Sequence, residues 1–587
     1  MRNVLRSFAV TALLVAALVG RGHAQDVNGV MLQAWYWDSP TNDPEEWWNK
    51  LSRLMPEFRR MGITGLWVPP PCKAAGGGFS SGYDVYDFYD LGSKDQRGTI
   101  PTKWGHKENL LKMVGIAHAN GLDVYADIIV NHRAGGDQNG RSYQHLVGSE
   151  ATGRFTMAPW DFHNGGQGDW DMDLAGLPDL AQGVPYVRDG LYAWMRWFDK
   201  QTGVDGYRID AVKHMPPGFV EGLMYQVQEG MGKQSFAVGE YYDGNPNTLQ
   251  WWVNSVNRRS SVQDFTLFFN LLEMAHGNGY FDMRRLRNRL HDEAKSVTFV
   301  NNHDTFRRAN GLHLYQRAHL AYAVIMALPG YPCVYWQDLY DDNGDIRQWL
   351  VNLIWIHHHL ARGNAIERWA DGDLYVLERE GNLLAGFNDN GNHWRTEWVK
   401  TAFGPNRRLH DYALGVGDVW TNEHGYARIS VPPGGYVMYG PDGMQGRMPD
   451  PPARRTRQEY EAAADMDMRP AGEWWSEPTK FVAAQGKPVW VTVWFEDPSV
   501  VGHVAVFDDQ GRRLNHARGQ RQVYFPVMNP PKDGWYQVRV GLEQTGQNKR
   551  SRYWLQLDYE APKVDPGLAP RTQTFDLLPL ARTSTGP

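Results

Sequence analysis

Cysteine is nearly absent. The 587 residues include only Cys72 and Cys333, too few for a disulfide framework and without the Cys-x-x-Cys spacing of a metal site, so two buried thiols are expected. Basic charge is not in excess: 60 Lys and Arg against 66 Asp and Glu leave a net charge of −6, which gives nucleic acid no field to bind. Long apolar runs are also missing beyond the first twenty residues, and with them any membrane-spanning segment. The one apolar run, residues 8–19, follows Arg2 and Arg6 and leads to Gly22-His23-Ala24. This is the pattern of a secretory signal peptide over residues 1–24, cleaved after Ala24. The mature chain is therefore expected to be exported, outside the cell or into a periplasm, as a soluble monomer without nucleic-acid or membrane partners.

Aromatic residues, by contrast, are abundant: 25 Trp and 13% Phe, Trp and Tyr together. They can fill cores or offer flat faces on which sugar rings stack. Length calls for more than one core. Short apolar runs at residues 30–36, 65–69, 124–130, 206–210, 236–239, 262–265, 297–300 and 333–336 alternate with helical stretches such as 45–61, 107–120, 186–202 and 312–327. Eight such units predict an α/β chain folded as a (β/α)8 TIM barrel over residues 25–130 and 186–370. Residues 131–185 are too long for an ordinary connection and read as a small subdomain inserted after strand 3. Helices then stop. Residues 371–440 read as an antiparallel β domain, 441–457 as a Pro- and Arg-rich linker, 458–562 as a β-sandwich-like accessory domain and 563–587 as a loose tail.

Chemistry in such a barrel sits at the C-terminal strand ends, where Asp127, Asp210, Glu240 and Asp304 fall. Singly, an Arg-x-Asp pair is usually a structural ion pair and a Gly-Glu means nothing. Three strand-end carboxylates in order suit cleavage of a glycosidic bond.

The stretches Asp127-Ile128-Ile129-Val130-Asn131-His132, Gly206-Tyr207-Arg208-Ile209-Asp210, Val238-Gly239-Glu240 and Phe299-Val300-Asn301-Asn302-His303-Asp304 resemble, in chain order, the motifs of the α-amylase family, glycoside hydrolase family 13. Gln33-Ala34-Trp35-Tyr36-Trp37-Asp38 and Gly82-Tyr83-Asp84-Val85-Tyr86-Asp87 look most like its plant and archaeal branch. The resemblance implies a secreted, retaining, endo-acting α-amylase on starch, glycogen and maltooligosaccharides, or alternatively an exo-acting maltooligosaccharide-forming enzyme or an α-glucan transglycosylase. A silent glycan-binding protein on this barrel would be expected to lack a catalytic carboxylate, and all three are present.

By this resemblance Asp210 is the nucleophile, with Arg208 expected to lower its pKa. Glu240 is the acid/base, its pKa expected to rise through burial and neighbouring carboxylates. Asp304 is the third carboxylate. His132 and His303 would hydrogen-bond the same sugar, Tyr83 would stack on it, and Lys213 and His214 would line the leaving-group side. Tyr241 is a further substrate-binding candidate and, like Tyr242, core or cleft. Carboxylates crowd residues 168–179 and would repel without a hard cation, for which calcium is the natural choice. Alignment to the plant branch implies Asn131, Asp169, the Met172 carbonyl, Asp179 and the His214 carbonyl as ligands, with Asp171 and Asp173 as substitutes for Asp169. No Cys lies between Cys72 and Cys333 for the zinc site of the archaeal branch. Asn301 stands where many relatives are acidic, which implies changed hydrogen bonding without loss of activity. For residues 458–562, Trp474, Trp475, Trp490, Trp494, Trp535 and Trp554 suit starch binding, but alternating strands also bury tryptophan, and a sandwich of unknown role is favoured.

Overall fold

The structure, a computed structural model, describes residues 29–568 except 42, 147–151, 164–169, 171–172, 307–310, 414, 449–450, 462–465, 468–474 and 544–549. The expected signal peptide, Asp169, Asp171, Met172 and Trp474 therefore lie outside the described residues.

The eight apolar runs become eight parallel strands: β1 (Met31–Gln33), β2 (Gly65–Val68), β3 (Asp123–Ile128), β4 (Gly206–Ile209), β5 (Phe236–Gly239), β6 (Ser261–Gln263), β7 (Ser296–Phe299) and β8 (Tyr331–Tyr335). They pair in sequence order and close where Met31 meets Cys333. Buried on both faces, they need continuous apolar sequence rather than alternation. The covering helices are α1 (Trp47–Met61), α2 (Lys107–Ala119), α3 (Pro185–Thr202), α4 (Pro217–Gln228), α5 (Pro246–Ser255), α6 (Phe265–His276), α7 (Ala318–Ala327) and α8 (Gln348–Leu360). Their ends follow local chemistry. Pro185 opens α3 where its missing N–H costs nothing, and Gly203 closes it at φ 72°, a left-handed cap that suits glycine.

One helix starts later than its sequence suggests. Residues 312–317 stay outside α7 because the Asn301 side chain captures Leu314, accepting from its N–H at 3.0 Å and donating to its carbonyl at 3.1 Å. Arg317 then turns left-handed at φ 50° before α7 begins.

Beyond the barrel, β9 (Ala365–Ala370), β10 (Leu374–Arg379), β11 (Leu383–Asn388), β12 (Arg395–Lys400), β13 (Arg408–Asp411), β14 (Val419–Trp420), β15 (Tyr426–Val431) and β16 (Tyr436–Pro441) form an antiparallel domain. Its sheet runs β9-β10-β11-β16-β13-β14, with β12 paired to β15. The last unit is a sandwich of β17 (Thr456–Glu461), β18 (Thr479–Ala483), β19 (Trp490–Phe495), β20 (Val501–Asp508), β21 (Arg513–Gln520), β22 (Gln522–Tyr524), β23 (Gly534–Glu543) and β24 (Tyr553–Tyr559). Its two sheets are β17-β24-β19-β22 and β18-β23-β20-β21.

The sandwich is docked firmly on the barrel. Arg454 reaches Asp205 at 2.9 Å and Asp123 at 2.8 Å, and His118 bridges Asp205 and Thr456 at 2.9 and 2.7 Å. Of the tail after residue 562 the described part ends at residue 568, and within it Asp565 is buried and pairs with the buried Lys112 of α2 at 2.6 Å. Cys72 and Cys333 are separate, buried thiols, and no described helix is long and apolar enough to cross a membrane.

Candidate active site

Parallel register assembles the site. Asp127 on β3 sits beside Arg208 on β4, and Arg208 beside Val238 on β5. Two residues further along the same faces come Asp210 and Glu240. One buried guanidinium consequently holds three carboxylates. Arg208 Nη1 donates to Asp210 Oδ1 at 2.6 Å and to Asp127 Oδ1 at 2.9 Å, and Nη2 lies 2.8 Å from Glu240 Oε2. Ala211, left-handed at φ 50°, turns its N–H onto Glu240 Oε2 at 3.1 Å. Such backbone costs of order 1 kcal/mol or more and persists where the surroundings impose it.

Electrostatics separate the two carboxyls nearest the cleft. Burial pushes Glu240 up to about 8; Arg208 opposes the rise, while Asp210 and Asp304 add to it. This agrees with its sequence-based expectation. Asp210 does not: burial pushes it up to about 6 against the pull of Arg208, with Asp127 and Asp304 adding to the rise. A single cation shared by three carboxylates cannot offset the loss of water for each of them. Near neutral pH the arrangement favours an ionised Asp210 beside a protonated Glu240.

Asp127, given no role from sequence beyond its strand-end place, is the anchor of the wall. Its Oδ2 accepts from Trp67 Nε1 at 2.9 Å and from the Tyr83 hydroxyl at 2.7 Å, and burial raises it to about 6. Tyr83 stacks on His303 at 5.2 Å and Trp37 at 5.6 Å. His303 Nδ1 accepts from Gln33 at 3.1 Å, which leaves its Nε2, 3.3 Å from Asp304 Oδ2, to carry the proton. The Asp304 side chain is half exposed. Gln33 and Trp37 went unassigned from sequence although both lie in the quoted stretch that starts at the end of β1.

Other candidates land differently. His132 is buried and donates through Nε2 to the Tyr83 carbonyl at 2.7 Å, so it braces Tyr83 from behind. Burial lowers its pKa. Lys213 lies on the rim, 3.4 Å from the Tyr242 carbonyl. Tyr241, read as substrate-binding, is instead buried and packs on Trp252 of α5; alternation after the inward Glu240 turns it to the helix layer. Its neighbour Tyr242 is the exposed one.

The proposed ligands that are described do converge. One amide atom of Asn131 lies 3.0 Å from the His214 carbonyl oxygen and 3.3 Å from Asp179 Oδ1. With nitrogen there, the amide donates to both; with oxygen there, three oxygens meet at one point, the donor set a hard cation takes. Asp173, the other described candidate, is paired with Arg141 at 2.6 Å. Among the described residues no three His, Cys, Asp or Glu side chains cluster as a metal site. At the same end of the barrel a cavity of about 670 Å³ opens between Tyr36, Phe306, Trp336 and Arg347.

Comparison with known proteins gives a consistent result. The family model described as "Alpha amylase, catalytic domain" matches residues 51–346, and "Alpha-amylase C-terminal" matches residues 383–440. The chain is 31% identical over 396 residues to an α-amylase of Geobacillus stearothermophilus, covering 57% of this chain and 71% of that one. It is 29% identical over 398 residues to a glucan 1,4-α-maltohexaosidase of Bacillus sp. (strain 707), covering 58% and 76%. Among solved structures, an Anoxybacillus α-amylase superposes with a TM-score of 0.57 at 18% identity, covering 71% of this chain and 99% of that one. Neither family model extends past residue 440.

Proposed function

The chain belongs to the α-amylase family of glycoside hydrolases, and from that membership we propose that it is a retaining, endo-acting α-amylase cleaving internal α-1,4 bonds of starch, glycogen and maltooligosaccharides. The observation that carries the retaining reading is Arg208 holding Asp210 and Glu240 on its two terminal nitrogens. Retention needs these carboxyls about 5 Å apart. Asp210 Oδ attacks the anomeric carbon as Glu240 gives its proton to the departing glycosidic oxygen. The glycosyl–Asp210 ester is then hydrolysed: Glu240, now ionised, takes a proton from water, the water oxygen bonds to the anomeric carbon, and Asp210 leaves as carboxylate. Asp304, oriented by His303, binds sugar hydroxyls most tightly in the distorted transition state, and Tyr83 stacks on the ring.

Asn131, Asp179 and the His214 carbonyl would hold a calcium ion together with Asp169 and Met172. Bound there, the ion supplies charge neutralisation that ties the inserted segment to the turn after β4. The leader at residues 1–24 supports export, and the stretches around Gln33 and Tyr83 favour a place near the plant and archaeal branch.

Products from long amylose at low conversion, with calcium present, test the reading. A broad spread of intermediate oligosaccharides is expected. One short product from the outset would replace it with an exo-acting, maltooligosaccharide-forming enzyme. Products longer than the substrate would make it a transglycosylase.

A further inference from the structure

The outward face of the sheet β17-β24-β19-β22 carries a cluster of rings that the catalytic reading does not use. Along β19 the buried Val491, Val493 and Phe495 alternate with outward Trp490, Thr492 and Trp494. Register sets Trp494 directly beside Trp554, Thr492 between Gln556 and Tyr524, and Trp490 beside Asp558. Tyr524 is 73% exposed, Trp490 41% and Trp554 38%. Neighbouring strands lie about 4.8 Å apart, so Trp494 and Trp554 are cross-strand neighbours on one face, with Tyr524 at its border. The other described tryptophans of this unit are spent elsewhere: Trp475 packs edge-on against Phe507 and His516, and Trp535 lies under the Lys112 ammonium of the barrel.

Most of the charge described on this face is paired, with one cation in excess where two arginines share Asp558. Arg455 and Arg457 both bond Asp558; Lys200 and Gln556 hold Glu459 at 2.7 and 3.0 Å; Arg154 lies 3.3 Å from Glu461. Arg455 also stacks on Trp490 at 4.0 Å, fixing that ring. What remains to meet a ligand is flat rings edged by uncharged hydroxyl and amide groups, Thr492 and Gln522. The named cations are each engaged with a carboxylate, which favours, over a polyanion or an acidic peptide, a neutral polyol whose flat C–H faces match the rings and whose hydroxyls match the amides.

We propose that this face is a second binding site, remote from the carboxylates, for an α-glucan chain, with sugar rings seated on Trp494, Trp554 and Tyr524. The choice of glycan rests on the α-glucan reading of the barrel. Because the sandwich is docked on α2 and α3 through Gln458, Lys200 and Lys480, a polymer held here stays at high local concentration near the cleft.

The experiment uses the full chain, depletion from solution by insoluble granular starch, and hydrolysis of maltoheptaose in parallel. Trp494→Ala combined with Trp554→Ala is expected to weaken granule binding by about tenfold or more, and Tyr524→Ala, too exposed to endanger folding, by about threefold. For both variants kcat/KM on maltoheptaose is expected to stay within about twofold of the parent, because neither touches the cleft. Granule binding unchanged in both variants overturns the proposal, as does a parent that hydrolyses maltoheptaose but ignores granules. If the parent is a dimer that Tyr524→Ala splits with granule affinity intact, the face joins two copies and the proposal is again lost. A parent inactive on maltoheptaose refutes the α-glucan reading instead.

Discussion

Replacing Asp127 with Asn should move one limb of the pH profile and leave the other in place. Asp127 and Asp210 accept from the same nitrogen of Arg208, at 2.9 and 2.6 Å, so their charge centres lie about 5 Å apart, where Coulomb's law at an effective dielectric of about 20 gives ~3 kcal/mol, or about 2 pK units. Asp127 itself rises to about 6, so it is only part-ionised on the acid limb and about half of that effect is available. The sign follows from charge: removing a negative neighbour eases ionisation of Asp210, which then holds its charge at lower pH. Glu240 lies on the other nitrogen, and its proton is kept chiefly by burial. In the parent, kcat/KM for maltoheptaose should rise through about 6 and fall through about 8. In Asp127→Asn the lower limb should drop by about one unit and the upper stay within about half a unit, read between about pH 4 and pH 10. An acid limb that stays put, or climbs, would falsify the three-carboxylate account of Arg208.

Glu240→Gln should cut kcat about 10²- to 10⁴-fold and erase the alkaline limb, since the amide has no proton to give; a surviving limb near 8 would assign it to another group. Chelating calcium should lower the unfolding free energy by about 3 kcal/mol if the ion was present at about a hundred times its Kd, and Asn131→Ala should lose most of that dependence; a melting temperature indifferent to chelator in the parent removes the ion from the account. Asp565→Ala leaves the Lys112 ammonium buried without its carboxylate partner, at a cost of about 3–5 kcal/mol in urea unfolding. A loss below about 1 kcal/mol would mean that the segment after residue 562 does not hold the sandwich to the barrel.

Local pattern was enough for much of the architecture. Each of the eight apolar runs became a barrel strand, because a strand buried on both faces is mostly apolar and so announces itself even where it carries Asp127 or Arg208. β21 carries little strand signal of its own, since its Arg513–Gln520 sequence is polar with no residue buried at the edge of its sheet, and the start of α7 was misplaced because the competitor for Leu314 is a side chain on another strand's loop. At the site, Arg208 and Asp210 could be put on one strand face from their spacing alone. That Asp127, Asp210 and Glu240 converge on the same guanidinium depended on β3, β4 and β5 lying side by side in register. The inward and outward fates of Glu240 and Tyr241, adjacent in sequence, were likewise settled by which layer each faced. The sequence by itself determined which acidic groups stand at strand ends and which strands carry them. Only the closed barrel decided how much water each one loses, and that loss set the direction of the Asp210 shift against the charge of its nearest cation, because desolvation is a property of everything packed around a group and not of its neighbours along the chain.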